Sequence, residues 1–371
     1  CIRDRGNSQF VLEVSDAIFR QGGFEDYSLA SSRLDLAVSS DADIRLRAAQ
    51  LLLDSPTAAF AVTGTPLSDL AQPALLPEFQ RRPVSLALAT DGSLGAAIGG
   101  GNNLSIATGA GIRGDAGTTV SLSSTNSLVI DGVIDAPGGA ISLQTGEGSG
   151  LFLPDRQIWI GPNASLSVDA VALVDTLNPL GLRLGELLPG GRISVRAEEG
   201  SLLVADGASL SADGGTALLD VGFGLLTRTQ TAAAAGEIEL LAAESLLFKG
   251  SLSARAPDGF DVAGGRLIFG IDPSARGVQP LLLADGIPRG PHTVVFDDYD
   301  GEIPNVGQPV DPALASTGFV PVSQLESGGF DALDIIVRSS ATSTSDQGVP
   351  TPDTPDSLPI IEFPVDLELD L

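Results

Sequence analysis

Between Gly190 and Gly265 the chain restarts one short pattern again and again, and no other feature narrows its fold so far. Gly190-Gly191 leads into Arg192-Ile193-Ser194-Val195, Ser201-Leu202-Leu203-Val204 and Ala208-Ser209-Leu210-Ser211-Ala212. Gly214-Gly215 opens a second pass with Thr216-Ala217-Leu218-Leu219. Gly236 opens a third with Glu237-Ile238-Glu239-Leu240, and Gly264-Gly265 a fourth with Arg266-Leu267-Ile268-Phe269. The restarts fall 24, about 22 and about 29 residues apart. Each pass holds up to three strands of three to five residues, separated by Gly, Asp, Asn or Ala turns.

A repeat this short, made only of strands, points to a solenoid rather than a sandwich. Period-two alternation, as in Ile141-Ser142-Leu143 and Leu166-Ser167-Val168, turns one face of each strand inward and the other to solvent. A long helix would need apolar residues at i, i+3, i+4 and i+7 over a dozen positions. Only Ala48 to Leu53, soon stopped by Pro56, and the alanine run Thr231 to Ala235 approach that. The expected fold is therefore all-β: a right-handed parallel β-helix with about three short strands per turn and loop excursions. At ~24 residues per turn and ~4.8 Å between stacked strands, roughly 11–14 turns would give a rod about 50–65 Å long.

The rhythm divides the chain. Residues 1–50 hold Phe10-Val11-Leu12-Glu13-Val14 and Ile44-Arg45-Leu46, readable as β-helix turns. Residues 51–83 and 270–327 are punctuated by proline, which removes a ladder donor, so both should leave the sheets as excursions. Residues 84–269 form the regular β-helix, with an insertion near 170–189. Gly22-Gly23-Phe24-Glu25-Asp26-Tyr27 is echoed by Gly328-Gly329-Phe330-Asp331-Ala332-Leu333, so a Gly-Gly corner with a buried Phe marks an entry into the helix at both sites, the second over 328–338. Residues 339–359 are rich in Ser, Thr, Pro and Asp and read as a disordered loop or linker. Residues 360–371 look like the start of a next strand, cut short. The absence of Met and the start at Cys1 fit a fragment of a longer polypeptide.

Charge excludes several partners. Asp and Glu number 47 against 20 Lys and Arg, for a formal net charge of -27. Nucleic acid and anionic membranes both depend on Lys and Arg contacts to phosphates, so neither suits this chain. No stretch is apolar enough for membrane insertion. A single Cys rules out an intrachain disulfide framework and a Cys-based metal cluster. With 43% hydrophobic and 18% charged residues, most of the chain should fold.

Several segments resemble large exoproteins of the filamentous haemagglutinin family. They are Phe79-Gln80-Arg81-Arg82-Pro83-Val84-Ser85-Leu86, Ile134-Asp135-Ala136-Pro137-Gly138-Gly139-Ala140-Ile141, Ile158-Trp159-Ile160-Gly161-Pro162-Asn163-Ala164, both Gly-Gly-Phe sites and Thr293-Val294-Val295-Phe296-Asp297-Asp298-Tyr299. The resemblance runs over most of residues 20–338. It implies a non-catalytic passenger of a two-partner secretion system, secreted or held at the surface of a Gram-negative bacterium. Such a passenger forms an elongated stalk or adhesive surface for attachment or biofilm. Export would use an outer-membrane transporter, through a secretion domain absent here; Asn178-Pro179-Leu180 only echoes that domain's motif. Host-cell or bacterial receptors are not named by the sequence. Two other readings stand beside it: the shaft of a contact-dependent inhibition toxin, and a carbohydrate-active β-helix enzyme.

Chemistry-bearing residues are sparse. His292 is the only histidine, so no His-based triad or multi-His metal site exists in the chain. It reads as an exposed loop residue. Asp297, Asp298, Asp300 and Glu302 form the densest acid cluster and supply hard oxygen ligands suited to Ca²⁺, although the EF-hand spacing fails. No other cofactor is expected. Arg113-Gly114-Asp115 is read as an exposed turn that could offer both charges to an integrin. The carboxylates a glycosidase needs sit mostly at turn positions, where Asp is favoured locally.

Overall fold

The alternating runs become the rungs of a parallel β-helix. In strand Thr119–Ser124 the side chains of Val120, Leu122 and Ser124 are buried, and those between them face outward. It pairs in parallel with Ala140–Thr145, setting Val120 against Ile141 and Leu122 against Leu143. The computed structural model describes residues 2–5, 13–21, 23–32, 34–91, 102–146, 156–198, 200–222, 225–272, 292–338 and 359–363.

Repeating that pairing builds three sheets. Sheet I has eight parallel strands, from Asp26–Ser32 at one end to Phe330–Val337 at the other. Sheet II has eleven strands, the two at its N-terminal end (Glu13–Val14 and Ile2–Arg5) antiparallel. Sheet III has six, from Asp43–Leu46 to Ser251–Ser253. From Asp26 to Ser253 the chain runs I, II, III in each turn. Inside, like residues stack in columns: Leu104, Leu128, Ile158, Leu202 and Leu246 follow one another in sheet II, all at 0% exposure. Each such side chain contributes roughly 1.5–3 kcal/mol by leaving water.

Glycine fixes the corner between sheets III and I. A Cβ on Gly191 would lie 2.0 Å from the Gly139 carbonyl oxygen, and one on Gly236 would lie 1.9 Å from that of Gly191. Only glycine lets successive rungs close to that spacing, which is why the passes begin with it.

One expected restart proves different. Gly214-Gly215 does not open a rung; strand Gly215–Val221 folds back on Thr227–Ala233 as an antiparallel hairpin projecting from the helix. Turn length therefore varies widely. Thr119 and its partner Ala140 are 21 residues apart, but Arg192 and Glu237 are 45 apart and Asp26 and Ser85 are 59 apart. Lateral insertions consume the difference. Eight strands at ~4.8 Å make sheet I roughly 35 Å long, shorter than the rod expected from a uniform repeat.

Residues 270–327 also depart from expectation. Strands Thr293–Phe296 and Thr317–Val320 return to sheet II, and they do so out of order. Thr317–Val320 stacks on Leu246–Phe248, Thr293–Phe296 lies outside it, and Ile360–Glu362 outside that. Residues 297–316 cross the outer face of sheet II as a strap. Trp159 Nε1–H donates to the Pro304 carbonyl at 3.1 Å, Lys249 Nζ to that of Gly301 at 3.0 Å, and Ser245 Oγ to that of Leu314 at 2.8 Å. Leu203 and Leu247 face outward by alternation, yet both are fully buried on the face the strap crosses.

Short helices close both ends of sheet III. α1 (Ala17–Gln21) packs on strand Asp43–Leu46, with Phe19 fully buried and its carbonyl accepting from Arg47 N–H. α3 (Val322–Gly328), the third helix after Ser55–Ala59 (α2), packs on Ser251–Ser253, where Leu252 N–H donates to Gln324 Oε1 at 3.1 Å. Both Gly-Gly-Phe sites follow a capping helix. Gly23 and Gly329 hold φ of +64° and +77°, the left-handed turn out of a helix that glycine adopts without penalty. Each then enters an edge strand of sheet I. The expected buried ring is present in Phe330, but Phe24 is 59% exposed; Phe19 and Tyr27, in edge contact at 5.0 Å, fill that end instead.

The expected strand at Phe10-Val11-Leu12, the linker of residues 339–358 and the run Val365 to Leu369 lie outside the described residues.

Candidate interaction surface

Three antiparallel hairpins leave the helix, all from the corner where sheet III hands over to sheet I. Hairpin 1 joins Gln50–Leu53 to Ala71–Ala74, hairpin 2 joins Val171–Val174 to Gly185–Leu188, and hairpin 3 joins Gly215–Val221 to Thr227–Ala233. At that corner a chain can depart and return without breaking any ladder, because the parallel strands on either side are already complete.

The hairpins are fastened by polar contacts. Hairpins 2 and 3 pack on each other, and Asp220 is their shared node. It accepts from Arg183 N–H at 2.6 Å and from Arg228 Nε and Nη2 at 3.0 and 2.9 Å. The Arg228 guanidinium, helped by the Arg183 amide, holds the Asp220 carboxyl below the ordinary aspartate range. Arg228 also donates to the Gly181 carbonyl across the two hairpins. The segment returning from hairpin 1 passes through the 3₁₀ turn Glu78–Gln80, which touches strand Val171–Val174, and is pinned at Arg81.

Apolar side chains are exposed along this corner. Among the described residues, 13 of the 19 exposed large hydrophobics belong to the three insertions, including Phe60 at 89% and Leu225 at 86%. Scattered exposed Leu is ordinary, but this concentration on one side gives the molecule an apolar face of the kind that binding surfaces use. Charge is thin here too. Residues 50–83, 171–188 and 215–233 carry six acids against four arginines, in a chain whose net charge is -27.

The expected Arg-Gly-Asp turn is absent. Arg113 and Gly114 lie within strand Gly111–Gly114 of sheet III, and Arg113 Nη1 pairs with Asp43 Oδ1 on the neighbouring rung at 2.7 Å. Asp115 is only 5% exposed. Its Oδ1 stands 2.8 Å from Arg81 Nη1 and 3.7 Å from Arg47 Nε. Burial lifts its carboxyl above the usual aspartate range in spite of both arginines. The strand continues the rung through Gly114, and residues 78–82 cover the acid that follows, so it cannot reach an integrin.

The acid cluster heads the strap. Asp297, Asp298, Asp300 and Glu302 are exposed, but the Asp298 carboxylate accepts from Ser323 N–H and Oγ at 3.2 and 3.1 Å. Tyr299 OH reaches the Glu302 carbonyl at 3.1 Å. Among the described residues no three His, Cys, Asp or Glu side chains converge as a metal would require. His292, read as an exposed loop residue, is 1% exposed at the start of strand Thr293–Phe296, and its carbonyl accepts from Ile360 N–H.

Outside sheet I the alternating strands form a charged ladder. Glu239 is 2% exposed and accepts from Arg192 Nη2 at 2.8 Å, Ser194 Oγ at 2.7 Å and Arg196 Nη2. Burial raises its carboxyl, but these three donors outweigh that and hold it below the ordinary glutamate range. Parallel stacking brings the donors together: Ser194 is Glu239's direct partner on the next rung.

Sequence reasoning missed the hairpin surface. A signal was present in Gln50-Leu51-Leu52-Leu53, an apolar run without alternation inside a proline-punctuated segment. No family model, curated protein or solved structure matches the chain.

Proposed function

We propose that the chain is a non-catalytic passenger segment of a secreted bacterial surface exoprotein of the filamentous haemagglutinin type. In this reading it is a stiff rod that carries an attachment surface on one side, delivered to the cell surface by an outer-membrane two-partner transporter. One observation carries the reading: all three lateral hairpins leave from the same corner and bring apolar, charge-poor side chains out of an otherwise strongly acidic molecule. A rod of stacked parallel ladders holds such a surface rigidly at a distance from its anchor, so contact costs little ordering entropy.

Attachment of the purified chain, coupled to beads, to epithelial cells and to bacteria tests this. Saturable attachment competed by free chain is the expected result. No attachment to either, or release of reducing ends from acidic or neutral polysaccharides, overturns it.

A further inference from the structure

The strand Gln50–Leu53 is the least protected edge among the hairpins. A two-stranded hairpin leaves an outer edge on each strand, and exposed edges are normally guarded by charge, proline or a bulge. Ala71–Ala74 has Pro73, which removes a donor from its edge. Gln50–Leu53 has neither proline nor charge, and Leu51, Leu52 and Leu53 are 58%, 43% and 60% exposed, so both faces of the strand are bare. Hairpins 2 and 3, by contrast, cover each other. An isolated two-stranded hairpin is marginal in water and gains from further strands.

We propose that this edge is a self-association site. A second copy of the chain pairs with it antiparallel across a two-fold axis at Leu52, joining two hairpins into a four-stranded sheet. The sequence around Leu52 is self-complementary in that register. Leu51 lies opposite Leu53 of the second copy, and Asp54 comes level with Gln50 of the second copy, whose amide can donate to it. Charge favours a copy approaching here. Two molecules of net charge -27 repel over most of their surfaces, whereas the hairpin insertions carry six acids against four arginines. Such an isologous contact closes on itself and stops at the dimer.

This inference goes beyond the attachment reading, and either can fail alone. The test is sedimentation equilibrium of the full chain from micromolar to submillimolar concentration, with L51K/L53K and L51K/L53E beside it. The native chain is expected to form a concentration-dependent dimer. L51K/L53K sets lysine against lysine across the axis and should weaken association at least about tenfold. L51K/L53E sets lysine against glutamate and should recover part of the loss. Leu51 and Leu53 are both solvent-exposed in the monomer, so unchanged circular dichroism is expected for both variants. A native chain that stays monomeric throughout, a dimer indifferent to L51K/L53K, or no recovery in L51K/L53E overturns the proposal.

Discussion

Arg81 Nη1 stands 2.8 Å from Asp115 Oδ1, with both side chains below a tenth exposed. This pair joins the segment returning from hairpin 1 to the corner that follows strand Gly111–Gly114. It is a buried contact that helps hold the longest lateral insertion to the rod, beside the Arg82–Glu25 ion pair and the packing of Glu78–Gln80 on Val171–Val174.

Removing it should free that insertion and leave the rungs intact. Asp115→Ala leaves the Arg81 guanidinium withdrawn from water without its carboxylate, a cost of roughly 1–3 kcal/mol. Hydrogen exchange is expected to quicken in residues 50–83 and to remain unchanged in Thr119–Ser124. Equal acceleration in both would show that the pair supports the core instead.

Glu239 gives the acid side of the stability curve a defined sign. Its folded pKa is depressed, so its contribution is fully present above the unfolded glutamate range of about 4.3 and is lost as pH falls through the lower folded value. Glu239→Gln should lower Tm at neutral pH and flatten the fall in Tm below about pH 4.3. Asp115 has the opposite sign. Burial raises its pKa, so its contribution grows as pH falls through the raised value and declines as pH rises. A Tm profile for Glu239→Gln parallel to the native one would contradict the assignment.

Gly191 should tolerate nothing larger. A methyl group there would sit 2.0 Å from the Gly139 carbonyl oxygen, so Gly191→Ala forces two rungs apart. Overpacking of this kind costs roughly 1–3 kcal/mol. Urea unfolding is the measure, and an unchanged midpoint would refute the corner geometry.

The α3 cap should matter for solubility as much as for stability. Leu325 is buried where the helix seats on strand Ser251–Ser253. Leu325→Asp places a charge in that contact and uncovers the sheet edge, which invites pairing between molecules. Time-dependent light scattering after mild warming should rise well above that of the native chain. A variant that scatters no more than native protein would mean the edge is guarded by something other than α3.

The rungs were legible in local pattern alone. Alternation in runs such as Ile141-Ser142-Leu143 decides which side chains enter the core, and glycine at the corner decides where a rung can close; both are local and have a short physical range. Long-range packing set what no local pattern holds. Gly214-Gly215 and Gly190-Gly191 both open alternating strands, but one pairs antiparallel with its own continuation and the other in parallel with a rung 52 residues earlier. Thr317–Val320 enters the stack before Thr293–Phe296 because rung order follows which edge is free, and chain order does not fix that. Asp115 looked exposed because it falls in a turn between two alternating runs, yet it is buried because Arg81, from a distant insertion, closes over it. The exposed apolar face of the hairpins has the same origin: its leucines are ordinary core residues by type, and they are exposed because the corner sends their strands out of the helix.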